Sequence, residues 1–141
     1  MTNQEYRDAS ERLARVSVDA YGKDPAAYDD LEEQIISAFL FGAHRKYSMT
    51  QAGVAEWASK IEMLELMNKV LGFSMDMAGN AIELFNEVLE DQRKQPVLYG
   101  VMECGATGSA LAASDPKELC RTLREIIAVL GQRMEITDET V

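Results

Sequence analysis

At 141 residues and 15.7 kDa, the chain is long enough for one compact domain and too short for two well-formed cores. An apolar fraction of 47% and a charged fraction of 27% exclude the disordered and collagenous classes. With 24 acidic against 14 basic residues the formal net charge is −10, which disfavours nucleic acid or anionic lipid as partners and suits solubility or a basic protein partner.

The pattern is helical from end to end. Thr2 and Glu5 have the spacing of a capping box, and Tyr6, Ala9, Leu13, Val16 and Ala20 recur on one face as far as Tyr21. Gly22 and the Asp24-Pro25 pair interrupt that helix. Asp29 and Asp30 open a second helix that runs through Ile35, Ile36, Phe39, Leu40 and Phe41 and ends near His44-Arg45-Lys46. Its middle is apolar nearly all round, which marks a central buried helix.

Thr50 caps a third helix with Val54, Trp57, Ala58, Ile61, Leu64, Met67, Val70 and Leu71 at spacings of three and four, and Gly72 ends it. Ser74 caps a fourth, in which Met77, Ala81, Leu84, Phe85, Val88 and Leu89 form the expected buried face. Asp76, Asn80, Glu83, Glu87 and Glu90 line the opposite face. Pro96 fits the first turn of a fifth helix and Asp115-Pro116 the start of a sixth, which buries Leu119, Leu123, Ile126, Ile127 and Leu130 and stops around Gly131. A short, frayed polar tail follows from about Met134 to Val141.

No segment alternates with period two over a useful length, so the expected fold is all-α: a single-domain bundle, residues 1–141, of about six helices with helices two and five central. The fifth segment carries one charge, Glu103, and three glycines, Gly100, Gly105 and Gly108. Glycine costs about 1 kcal/mol per helical position relative to alanine, so close helix packing or a functional bend must account for them.

Catalytic material is sparse. The single histidine, His44, suits the negative end of a helix dipole, and phenylalanine three residues before it breaks the Glu-x-x-His pattern of di-iron bundles. Cys104 and Cys120 lack the short spacing of zinc ligands, and both are expected to be reduced thiols. The segment Gly105-Ala106-Thr107-Gly108-Ser109 has neither the P-loop spacing nor its lysine. Neither a catalytic residue nor a metal or cofactor is assigned.

Compartment follows from what the segments can do. The polar start Met-Thr-Asn-Gln-Glu-Tyr-Arg-Asp does not have the form of a secretory signal, and the uncharged runs Gln34–Ala43 and Cys104–Ser114 are too short to span a bilayer. A cytoplasmic protein that does not engage membrane is expected.

Two acidic groups stand out as partner-binding candidates. Asp76, Glu83, Glu87 and Glu90 place one sign of charge along one face of helix four, and Asp29, Asp30 and Glu33, with Glu32, form a second group. For either group alone a solvated face or acids at a helix start is the first explanation; taken with the net charge, the two also fit a basic protein partner.

The run Leu31-Glu32-Glu33-Gln34-Ile35-Ile36-Ser37-Ala38-Phe39-Leu40-Phe41-Gly42 is followed by two amphipathic helices, then by Gln95-Pro96-Val97-Leu98-Tyr99-Gly100 and a closing helix. This order, from about Leu31 to Leu130, resembles a family of small all-α bacterial immunity proteins from polymorphic toxin systems. The resemblance implies a cytoplasmic, non-enzymatic protein that binds and neutralises a cognate toxin domain, and it carries over no catalytic residue. The competing expectation is a helical structural or regulatory module, homodimeric through its charge-poor fifth helix.

Overall fold

The computed structural model describes residues 3–48 and 56–139. In chain order the helices are α1 (Asn3–Tyr21), α2 (Asp30–Tyr47), α3 (Glu56–Leu71), α4 (Met75–Glu90), α5 (Pro96–Ser114) and α6 (Pro116–Glu139). Among the described residues there is no strand, as the sequence pattern requires. Thr2, Thr50 and Val54 lie outside the described residues, as do the side chains of Tyr6, Trp57 and Ala58.

Local chemistry sets the helix ends. Gly22 and Gly72 adopt positive φ, +82° and +74°, and each returns its N–H to a carbonyl four residues back, Val18 and Asn68. That geometry closes α1 and α3 with left-handed caps that a side chain would strain. Asp29 caps α2 in a reciprocal box: its Oδ1 accepts from the Glu32 N–H at 2.8 Å, and Glu32 Oε1 accepts from the Asp29 N–H at 3.1 Å. Ser74 Oγ accepts from Met77 N–H at the start of α4, and Asp115 Oδ1 accepts from Glu118 N–H at the start of α6.

One hydrophobic cluster draws on all of the helices. Its centre is α2, buried without interruption from Ile35 to His44, and α5 packs on it more extensively than any other partner does. Backbone contact makes that packing possible. A Cβ added at Gly42 would sit 2.0 Å from the Met102 carbonyl oxygen, and one at Gly105 would sit 2.0 Å from that of Phe39. At Gly108 the obstacle is the Phe39 ring, 3.0 Å away. Close packing therefore accounts for two of the α5 glycines. It does not account for Gly100, where an added Cβ meets nothing within 4 Å.

Several faces are rotated from the sequence reading. On α1 the fully buried stripe is Ser10, Ala14, Ser17 and Val18, with Leu13, Val16, Ala20 and Tyr21 at its flanks; small side chains let α1 approach closely, and the larger apolar ones seal its edges. On α3 the core receives Met63, Leu66, Met67 and Val70, while Ile61 is 43% exposed and Glu62 is buried against Arg7. On α4 the buried positions are Ala78, Ile82, Phe85 and Val88, and Met77, expected inside, is 38% exposed. The three-and-four spacing admits either setting, and the Ala78–Ile82–Phe85 line wins because it places the Phe85 ring on Phe41, with centroids 5.3 Å apart.

Helix α6 also departs from its expected length. It continues through Gly131 to Glu139, so the stop expected around Gly131 is corrected. An interior glycine lowers helix stability without requiring a stop, and Gln132-Arg133-Met134-Glu135 are all good helix formers. Among the described residues no helix is long and apolar enough to cross a membrane.

Candidate functional site

The two acidic groups fare differently in three dimensions. Asp76, Glu83, Glu87 and Glu90 all stand exposed along the outer side of α4, opposite the Ala78–Val88 core line. Asn80 completes the stripe. Two apolar side chains accompany them at the start of the helix: Met75 is 53% and Met77 38% exposed, on either side of Asp76. Because the opposite face is locked into the core and Ser74 fixes the helix start, this surface is rigidly presented.

The group at the start of α2 is instead largely committed inside the chain. Asp29 is occupied in the capping box, Asp30 is exposed and Glu33 is half-buried. Glu32 is buried. It accepts from the Tyr21 hydroxyl, from Lys23 Nζ at 2.6 Å and from the Asp29 N–H. Burial opposes the charged form of Glu32, but the donors from Lys23, Tyr21 and Asp29 outweigh it and hold the carboxyl below its ordinary range. The same burial, together with Glu32 and Asp24, pushes the neighbouring Tyr28 phenol up to about 12. These carboxylates and phenols tie the end of α1 to the start of α2, leaving Asp30 as the freely displayed acid.

A second ionic site joins α1 to α3. Arg7 Nε lies 2.7 Å from Glu62 Oε1, beside Glu65 and Lys69 in a small cleft of about 120 Å³. Burial, reinforced by Glu65, raises the Glu62 carboxyl, and Arg7 and Lys69 pull it back only in part. His44 is buried in the last turn of α2, its carbonyl accepting from the Ser48 hydroxyl at 2.9 Å. Cys104 is exposed and Cys120 half-buried, both as free thiols. Among the described residues, no three His, Cys, Asp or Glu side chains converge as metal ligands would.

A wide concavity beside α5 was not foreseen in the sequence. Helix α5 turns Leu98, Val101, Met102, Gly105 and Gly108 inward but leaves Val97, Gly100 and Cys104 outside. Between that outer side and Ile126, Val129 and Leu130 of α6 runs an open groove of about 580 Å³. Its lining is apolar apart from Glu125 and the Cys104 thiol. Val97 is 42% and Val129 49% exposed on its walls. The three-and-four spacing of Val97, Gly100, Val101 and Cys104 signals this face, but the same spacing also describes a core helix.

The molecule thus presents a charged helical surface and an apolar groove. Comparison with known protein families, with curated proteins and with solved structures finds no match. Function must be argued from these surfaces.

Proposed function

We propose that this chain is a non-enzymatic immunity protein, which binds a cognate toxin domain in the bacterial cytoplasm and neutralises it by covering its working surface. The observation that carries the reading is the outer side of α4. There Asp76, Glu83, Glu87 and Glu90 stand on a helix whose inner side is anchored in the core, with Met75 and Met77 exposed beside them.

Such a surface combines the two contributions that protein recognition needs. Exposed acids, on a chain of net charge −10, draw a basic partner in from a distance and raise the association rate. Methionine adapts its unbranched side chain to the facing surface and supplies apolar contact once the partner has arrived. If the toxin acts on nucleic acid, its active site must be basic, and a row of carboxylates would occupy the place of phosphates. The order of elements from Leu31 to Leu130, which resembles the immunity proteins of polymorphic toxin systems, agrees with this reading.

The test uses the C-terminal domain encoded by the neighbouring gene. It should co-purify with this chain, and Glu83→Lys with Glu87→Lys should slow stopped-flow association about tenfold at low salt and flatten its salt dependence. Attraction of this kind is screened over about 8 Å at physiological ionic strength, so the two proteins should converge in rate as salt rises. An unchanged association rate at low salt would remove α4 from the interface. Failure of the domain to bind at all would remove the immunity reading.

A further inference from the structure

The groove between α5 and α6 is a docking surface in its own right. We infer that it receives an amphipathic helix of a protein partner, one that carries lysine or arginine beside its apolar face. This goes beyond the α4 surface and shares with it only the premise that the partner is a protein.

The shape argues for a helix. At about 580 Å³ the groove lies within the size range of ligand clefts, about 300–1,000 Å³, but it is open to solvent instead of enclosing what it holds. Its walls are two antiparallel helix faces offering Val97, Ile126, Val129 and Leu130, the surface on which the apolar side of a third helix seats. Gly100, which also lines the groove, adds a separate indication. Gly105 and Gly108 are required by contacts inside the chain, whereas a Cβ at Gly100 would project into empty space. The missing side chain deepens the groove where a partner's backbone or bulky anchor would come closest.

Charge selects the occupant. Among the described residues Glu125 is the one carboxylate lining the groove, and it is exposed. A second copy of this chain would bring a further −10 charge and set one Glu125 near another, while a helix bearing lysine or arginine would meet Glu125 with the opposite sign. An apolar stripe flanked by basic residues therefore satisfies both the lining and the rim.

A designed peptide of about 18 leucine and lysine residues in amphipathic order, long enough to hold helical structure, serves as the probe. Binding is followed by fluorescence anisotropy, and amide shift changes map the contact. The expected result is saturable binding with shifts confined to Pro96–Cys104 and Glu125–Leu130. Gly100→Leu, whose Cβ meets nothing within 4 Å, projects a side chain into the groove and should weaken binding at least tenfold while melting at or above the parent temperature. Glu125→Lys should weaken it more than Glu87→Lys, although the two change the net charge equally. Equal binding by the parent and Gly100→Leu, equal losses at Glu125 and Glu87, or shifts centred on α4 would each overturn the inference. So would sedimentation of the free chain as a dimer that Gly100→Leu dissociates, since the occupant would then be a second copy. None of these outcomes depends on whether the neighbouring toxin domain binds, so the groove and the immunity reading can fail separately.

Discussion

Tyr21, the last residue of α1, donates its hydroxyl to the carboxylate of Glu32, which is buried in the first turn of α2. The same carboxylate receives Lys23 from the connecting segment and the backbone of Asp29 from the cap. One side chain therefore fixes the end of one helix, the turn after it and the start of the next.

Glu32→Gln keeps the shape and removes the charge that three donors address. It should destabilise the fold by about 2 kcal/mol at neutral pH, in the range for hydrogen bonds to charged groups. The Glu32 carboxyl is held below its ordinary range in the fold, so its contribution is present above that range and is lost as pH falls through the folded value. Chemical denaturation across pH should show the difference between parent and variant shrinking towards acid.

Glu62 has the opposite slope. Its carboxyl is raised in the fold, chiefly by burial, so the unfolded chain gives up that proton first and stability declines as pH rises through the carboxylate range. Arg7→Ala would leave the buried carboxylate without its 2.7 Å partner. The expected loss is about 1–2 kcal/mol at pH 7, held down by the exposure of Arg7. It should become smaller once Glu62 is protonated; a loss independent of pH would show that packing of the arginine stem, not charge, is what matters.

The glycines of α5 should separate cleanly on substitution. Gly105→Ala drives a methyl group against the Phe39 carbonyl and should cost about 3 kcal/mol, because two packed backbones must move apart. Gly100→Ala meets nothing and should gain about 0.5–1 kcal/mol from helix propensity alone. Thermal unfolding of the two variants measures both; similar melting temperatures would remove the distinction drawn between the two sides of α5.

Tyr28 is buried, and its hydroxyl has no hydrogen-bond partner among the described residues. Its ring contributes through burial and an edge contact with Tyr21, centroids 5.8 Å apart. Tyr28→Phe keeps the ring and removes the desolvated oxygen, so stability should rise by about 1 kcal/mol. A loss of similar size in denaturant titration would mean that the hydroxyl is satisfied in solution.

The number and order of the helices were legible because punctuation and periodicity agree: Gly22, Gly72, Ser74, Pro96 and Pro116 lie at or beside helix ends. The rotation of each helix was less so. Ile61 and Glu62, or Met77 and Ala78, are neighbours whose burial depends on which line of side chains meets the adjacent helix, and a hydrophobicity pattern admits both settings. The acids of α4 could be placed because charge on one face leaves few alternatives. The groove could not. A charge-free helix carries the same pattern whether its second side is covered or open, and only the placing of α6 beside Val97, Gly100 and Cys104 leaves a groove there.

The reciprocal approach of Gly42 to Met102 and of Gly105 to Phe39 has a kinetic consequence. The hairpins α3–α4 and α5–α6 join segments adjacent in the chain and close short loops. The α2–α5 seam joins segments separated by all of α3 and α4, so closing it costs more loop entropy than either hairpin does, and its carbonyls tolerate little misalignment. Local hairpins accordingly assemble first, and the long-range seam becomes the step whose difficulty governs the folding rate. Until it closes, the apolar middle of α2 has nothing to cover most of its circumference, and the incompletely folded chain exposes the segment most prone to associate with others.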